Sequence, residues 1–175
     1  MSATGIPPEL SRPIAIDGLR PGDTDMSVVA GADERAALAR RFGLVAIDRL
    51  EATLRLTRMP RTGRFRLQGE LLADVVQTCV VTLEPVPAHI EAPFEVVYER
   101  ASVPGDAAEV VIASEDEPEP LFSDTLDVGE VLAEELALAL DPYPRAPGAE
   151  AEWRGDASPA PVSPFDALAV LKRKN

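Results

Sequence analysis

The sequence predicts an α+β fold in which an antiparallel β meander has one face covered by an amphipathic helix. A central block of period-two alternation is typical of half-buried strands, and blocks with helical spacing lie before and after it. Strands that are grouped in this way, rather than alternating with helices, favour α+β architecture. A short helix in the N-terminal half and a loosely attached C-terminal helix complete the predicted fold.

The first predicted helix is ADERAALARRFG at residues 32–43. The carboxylate of Asp33 can accept hydrogen bonds from the free amides of the first turn, so we expect it to be the N-cap. Gly43 can adopt the left-handed conformation that ends a helix. Upstream, PIAID at residues 13–17 predicts a short strand.

The strands begin near Leu50. The apolar positions Leu50, Ala52, Leu54 and Leu56 alternate with polar ones, residues 60–63 predict a turn, and the alternation resumes at Phe65. Gly69 suggests a bulge, and the apolar set shifts its register near residues 75–77. TCVVTLEPV and HIEAPFEVVYER then predict the remaining strands of a meander of about four.

The clearest helical pattern is DVGEVLAEELALAL at residues 127–140. Asp127 and Glu130 have the spacing of a capping box, and Pro142 ends the pattern. Its apolar stripe would cover the sheet and consists of Val128, Val131, Leu132, Leu136 and Leu140.

The composition suggests three parts of the chain. Residues 1–142 form a single α+β domain, residues 143–163 form a Pro/Ala-rich linker, and residues 164–175 form a short helix that packs on the domain or is mobile. No segment reaches 18 continuous apolar residues, and no basic segment near the N-terminus precedes an apolar run. We therefore expect a cytoplasmic protein with no membrane span and no secretory signal.

The charge is unevenly distributed. The formal net charge is -13, and residues 101–175 contain sixteen acidic and five basic side chains. A field of this sign repels nucleic acid, DNA included, and attracts basic partners, although charge runs often belong to solvated helices and loops. The candidates for binding a basic partner are Glu115, Asp116, Glu117, Glu119, Glu130, Glu134 and Glu135.

One segment has the opposite charge. RLTRMPRTGRFR, at residues 55–66, has five arginines and no acid: Arg55, Arg58, Arg61, Arg64 and Arg66. Guanidinium groups on one exposed hairpin edge could grip the phosphates of RNA. They could equally pair with acids elsewhere in the chain or be solvated. Phe65 points inward by its alternation, so base stacking is not expected.

Catalytic chemistry finds little support. Cys79 and His89 are unique in the chain and could form a nucleophilic pair, but no orienting third group or oxyanion site accompanies them. The phosphate-binding, dinucleotide-binding, zinc-protease and serine-hydrolase motifs are absent from the sequence. One Cys and one His fall short of a structural zinc site. We therefore expect a binding protein with no cofactor and no metal.

Several segments together resemble the YceD family of large-ribosomal-subunit RNA accumulation proteins. They are QTCVVTLEPV, an apolar strand that ends at Tyr98, LDVGEVLAEELALALDPYP and SPFDALAVLK. The family often has Cys-x-x-Cys-Leu-x-Pro. Here Cys79, Leu83 and Pro85 match that pattern, but Thr82 replaces the second cysteine, so a metal or redox role for such a pair is not available.

The resemblance implies a bacterial, non-enzymatic factor that supports 23S ribosomal RNA accumulation and large-subunit assembly. It implies as partners a basic large-subunit ribosomal protein, 23S ribosomal RNA, or both. The alternatives are an acidic protein–protein interaction module unrelated to the ribosome and a hydrolase built on Cys79 and His89.

Overall fold

The computed structural model describes residues 8–17, 19, 22–59, 61–101 and 118–150. Its elements in chain order are β1 (Pro13–Ala15), β2 (Gly22–Val29), α1 (Ala32–Phe42), β3 (Ala46–Met59), β4 (Arg64–Thr78), β5 (Pro85–Arg100), β6 (Glu119–Leu121), β7 (Thr125–Asp127) and α2 (Val128–Ala139). The main sheet has the order β2-β3-β4-β5-β6, antiparallel except for β5 and β6, and β1 pairs with β7 in a separate ribbon. The predicted α+β meander is confirmed.

The strand alternation divides the main sheet into two faces. On the inner face, Leu54 and Leu56 of β3 lie opposite Gly69 and Leu67 of β4. This face and the apolar sides of both helices form one buried core. The outer face has mainly polar side chains, as expected for an antiparallel sheet with one covered face.

The register of β4 corrects two expectations. It runs without a bulge at Gly69 and without a shift at residues 75–77. The pairing of β3 with β4 has its one irregularity in β3, between Ile47 and Arg49. Gly69 has a different role, since a Cβ there would lie 2.5 Å from Cζ of Phe94 and 2.7 Å from Cδ2 of Leu54. The missing side chain leaves room for the aromatic ring of the neighbouring strand.

The segment predicted as the strand TCVVTLEPV is instead a turn. Thr78 is the last residue of β4, and β5 starts only at Pro85. In between, the N–H of Cys79 donates to the carbonyl of Glu84 at 2.8 Å, and the N–H of Leu83 donates to the carbonyl of Cys79 at 3.0 Å. These bonds close the chain on itself and prevent a continued ladder.

Prolines mark one side of β5. Beyond its short pairing with β6 at residues 98–100, β5 has no second neighbouring strand among the described residues. Pro85, Pro87 and Pro93 all occupy alternate positions, and the pairing with β4 continues through each of them. Because proline has no N–H to donate, its nitrogen belongs on the open side of the strand.

The helix termini follow local chemistry. The N-cap of α1 is Gly31 and not Asp33, because the carboxylate of Glu34 accepts from the N–H of Gly31 at 2.7 Å. At the other end, Gly43 has φ of 66° and donates to the carbonyls of Ala39 and Arg40, as predicted.

Asp127 caps α2 and also holds the N-terminal segment against it. Its carboxylate accepts from the N–H of Gly129 at 3.0 Å, the hydroxyl of Ser11 at 2.6 Å and the N–H of Arg12 at 2.6 Å. Leu10 is fully buried beside this cap. The predicted cap is confirmed, whereas the carboxylate of Glu130 accepts from Arg41.

The C-terminal end of α2 is tied to the sheet. The side-chain amide of Gln77, which is buried, donates to the carbonyl of Asp141 at 2.9 Å. Pro144 accepts from the N–H of Val80 at 2.9 Å. Among the residues described, no helix has the length and apolarity that a membrane crossing requires. The predicted helix at residues 164–175 lies outside the described residues.

Candidate functional site: charged surfaces

The arginine-rich segment forms the β3–β4 hairpin, and three of its arginines lie on the outer face. Arg55 makes an ion pair with Asp25 of β2, with Nε 2.7 Å from Oδ1. Nη2 of Arg64 lies 3.3 Å from Oε2 of Glu99 of β5. Each of these pairs partly neutralises the positive charge of the hairpin, and the Arg55 guanidinium lowers the pKa of Asp25.

The other arginines occupy different positions. Nε of Arg66 lies 3.2 Å from Oε1 of Glu95 on the outer face. Arg58 belongs to the inner face by its alternation, but it lies near the end of β3 and is exposed. Its guanidinium donates to the carbonyl of Leu19 at 3.4 Å. Arg61 is exposed in the turn and has no ion pair with another described residue. The five arginines thus share one end of the sheet without forming a uniform positive surface.

Of the predicted acidic residues that the structure describes, Glu119 lies on β6 and the others lie on α2. Glu130 is the one among them that forms an ion pair with a described residue. Its Oε1 lies 2.7 Å from Nη2 of Arg41, which also reaches Glu9 at 3.1 Å. This network joins α1, α2 and the N-terminal segment. Glu130 is therefore engaged within the protein, and Glu115, Asp116 and Glu117 lie outside the described residues.

Glu119, Glu134 and Glu135 form a different group, which we call the acidic α2 surface. No described Arg or His lies within ion-pair distance of any of them. Burial raises the pKa of Glu134, and repulsion by Glu130 and Glu119 adds to the effect. Burial likewise raises the pKa of Glu135, with repulsion by Glu119 and Glu134. Arg41, which is paired with Glu130, attracts Glu134 only through its more distant charge, and no described cation lies within ion-pair distance of these carboxylates.

Tyr98 connects this surface to the sheet. It is buried, and it lies opposite Glu119 in the parallel pairing of β5 and β6. Burial raises the pKa of Tyr98, and the charges of Glu119, Glu134 and Glu135 raise it further. The phenol thus experiences the negative field of the acidic α2 surface.

The described surface also has exposed apolar side chains, and none of them was predicted as a site residue from the sequence. Leu138 is 81 % exposed and lies one helical turn after Glu134, on the same side of α2. Tyr143 and Leu83 are also largely exposed. Leu83 has φ of 63°, a strained conformation for a residue with a side chain.

Cys79 is a structural centre of the turn before β5. The thiol is fully buried, and Sγ accepts from the N–H groups of Val81 at 3.4 Å, Thr82 at 3.3 Å and Ala146 at 3.3 Å. The hydroxyl of Thr82 and the N–H groups of Ala146 and Thr82 lower the pKa of Cys79 to about 6, against the opposing effect of burial.

His89 lies apart from this thiol on the outer face of β5. Its Nδ1 is 2.5 Å from Asp74, and its Nε2 is 3.2 Å from Glu91. Hydrogen bonds to Asp74 and then Glu91 raise the pKa of His89. Within the described parts of the chain, no hydrogen bond joins His89 to Cys79, and no three His, Cys, Asp or Glu residues cluster as a metal ion would require.

Comparison with known proteins identifies the family. A family model described as "Large ribosomal RNA subunit accumulation protein YceD" matches residues 67–172, which is more than half of the chain. No curated protein and no solved structure matches the chain. The matched range begins within β4 and includes the Cys79 turn and all of α2. The chain therefore belongs to the YceD family, whose name indicates a role in the accumulation of large-subunit ribosomal RNA.

Proposed function

We propose that this protein supports 23S ribosomal RNA accumulation as a non-enzymatic assembly factor that binds a basic protein of the large ribosomal subunit. The acidic α2 surface is the proposed binding site, with Glu119, Glu134 and Glu135 as its charged groups. Such a surface attracts the basic segments of a partner and can shield them from contact with RNA.

The observation that carries the proposal is the unequal compensation of the two charged regions. Arg55, Arg64 and Arg66 already have acidic partners within the protein. Glu134 and Glu135 have repulsive neighbours and no ion pair with a described residue, and Glu134 feels only the more distant charge of Arg41, which is already paired with Glu130. An uncompensated surface gains more from an oppositely charged ligand than a compensated one, so the acidic side is the stronger candidate.

Contact between the arginines and ribosomal RNA remains a second, weaker part of the proposal. Arg58 and Arg61 are exposed and have no acidic partner among the described residues. If all five arginines contacted phosphates, log K should decrease with log salt concentration at a slope of about -4.5. If Arg55, Arg64 and Arg66 instead keep their ion pairs within the protein, the slope of log K against log salt concentration should be much shallower.

Co-purification from the native host separates these routes. We expect a basic large-subunit protein that stays bound after RNase treatment and is lost from the Glu134→Gln/Glu135→Gln variant. As a matched control, Asp48→Asn/Glu70→Gln removes the same charge from exposed positions on β3 and β4 and should retain the partner. Retention by the first variant would refute binding at the acidic α2 surface.

RNA contact is tested by changing the five arginines together to glutamine. If ribosomal RNA retention is unchanged in that variant, the arginine route is wrong. A sucrose gradient of cells depleted of the protein completes the test. Normal subunits, together with absence of the protein from every particle fraction, would contradict a role in assembly.

A further inference from the structure

The acidic α2 surface combines two kinds of binding chemistry. Glu119, Glu134 and Glu135 require cations, and Leu138, which is 81 % exposed, offers an apolar contact between them and the end of the helix. A matching ligand would have apolar side chains on one face followed by a short cationic run. Such a ligand removes apolar surface from water and neutralises the repelling carboxylates together.

The protein's own C-terminal sequence has this composition. SPFDALAVLKRKN, at residues 163–175, has Phe165, Leu168 and Leu171 at helical spacing, followed directly by Lys172, Arg173 and Lys174. Lys172 and Lys174 are the chain's only lysines. Residues 118–150 contain eight acidic side chains and one basic side chain, so the two segments are complementary in charge.

The described chain stops close enough to the acidic α2 surface for residues 163–175 to reach it. Ala146 is fixed at the Cys79 turn, and the carbonyl of Asp141 is bound by Gln77, so the chain leaves from the C-terminal end of α2. The twelve residues of α2 span about 18 Å. Residues 151–162, when extended, can span up to about 40 Å, so the cationic run can reach any point along the helix.

We propose that residues 163–175 dock on the acidic α2 surface of the same molecule. The apolar residues contact Leu138, and Lys172, Arg173 and Lys174 face the three carboxylates. If the proposed function holds, this segment competes with the basic partner and is displaced when the partner binds. The surface is then shielded between rounds of binding, and only a ligand with enough affinity to compete with the high local concentration of the segment replaces it.

The lysine distribution allows a direct test on the full-length protein. A carbodiimide joins amines to carboxylates without a spacer, so cross-links from Lys172 or Lys174 report which acids they contact. We expect monomeric product in which these lysines are joined to Glu119, Glu134 or Glu135 at least 5-fold more often than to the exposed acids Asp48 and Glu70. The preference should disappear in about 0.5 M NaCl, because salt screens exposed ion pairs.

A variant that retains both lysines tests the apolar contact. Phe165→Ser should lower the yield of the specific cross-links at least 3-fold at unchanged reagent concentration. Cross-links spread evenly over exposed acids would overturn the proposal, as would cross-links found only between two molecules.

Binding of fluorescein-labelled octalysine distinguishes this inference from the proposed function. The Lys172→Gln/Arg173→Gln/Lys174→Gln variant should bind the probe 3-fold to 10-fold more tightly than the natural chain. Equal affinity for both would overturn the competition. Specific cross-links without co-purification of any basic ribosomal protein would support the docking and refute the proposed function. Co-purification of such a protein without specific cross-links would support the function and refute the docking.

Discussion

Substitution of Gly129 by alanine tests how the N-terminal segment holds α2 in place. Alanine is normally better than glycine within a helix by about 1 kcal/mol. At this position, however, a Cβ would lie 2.7 Å from the carbonyl oxygen of Leu10, 2.9 Å from its carbon and 3.0 Å from the nitrogen of Arg12. These are backbone atoms, so relief requires the whole segment to move.

The magnitude follows from the two ways in which the clash can be relieved. A small shift of the backbone costs about 2–3 kcal/mol, as overpacking in cores does. Detachment of the segment would expose Leu10 and break the bonds of Ser11 and Arg12 to Asp127, at a cost of about 4 kcal/mol or more. The shift is the cheaper response, and after the helix gain of about 1 kcal/mol we expect a net loss of about 1–2 kcal/mol.

Urea unfolding followed by circular dichroism measures the change in the free energy of unfolding. In a thermal melt, Tm should decrease by about 2–8 °C. Ala137→Gly is the control, because Ala137 is exposed on the same helix and reports helix propensity alone. It should lower stability by about 1 kcal/mol. A Gly129→Ala protein as stable as the natural one, or more so, would refute the packing that we describe.

Four further variants test the electrostatics and the Cys79 turn. The raised pKa values of Glu134 and Glu135 mean that the folded protein loses stability as pH rises through and above their usual value of 4.5. Replacing both with glutamine should therefore raise Tm at pH 7 by up to about 2 °C, with no gain near pH 4 in a thermal melt. Cys79→Ala should lower the free energy of unfolding by about 2–3 kcal/mol, because three N–H groups lose their acceptor, and Cys79→Ser should recover part of the loss in urea titrations. The raised pKa of His89 means that the protonated imidazole stabilises the fold fully below about pH 6.5. This contribution is lost as pH rises through the pKa of the folded state. His89→Gln should therefore be less stable than the natural protein at pH 6 and match it at pH 9.

Periodicity predicted the elements whose burial is local. The alternation of β3 and the apolar stripe of α2 were visible in the sequence, and Leu54, Leu56, Leu132 and Leu136 are buried as expected. β2 was not predicted, although Thr24, Met26 and Val28 alternate toward the inner face. The three-residue strands β6 and β7 depend on distant partners, so no local pattern reveals them.

The charged surfaces could not be predicted from residue types alone, because the ion pairs depend on which strands are neighbours in the sheet. The pairing of Arg55 with Asp25 depends on β2, which was not predicted, and that of Arg66 with Glu95 depends on the register of β5. The acids of α2 could be assigned to the helix, but Glu130 could not be separated from Glu134 without the position of Arg41. Exposure of Leu138 likewise depends on which side of α2 faces the sheet.

The prolines of β5 limit how this molecule can be recognised. Because their nitrogens cannot donate, the open side of the strand offers an interrupted row of main-chain donors between residues 85 and 97. A partner or a second copy of the protein that added its own strand there would lose the hydrogen bonds that these prolines cannot donate. For the proposed partner, selectivity would then come from side chains, and a small number of substitutions could change it while the scaffold stays the same.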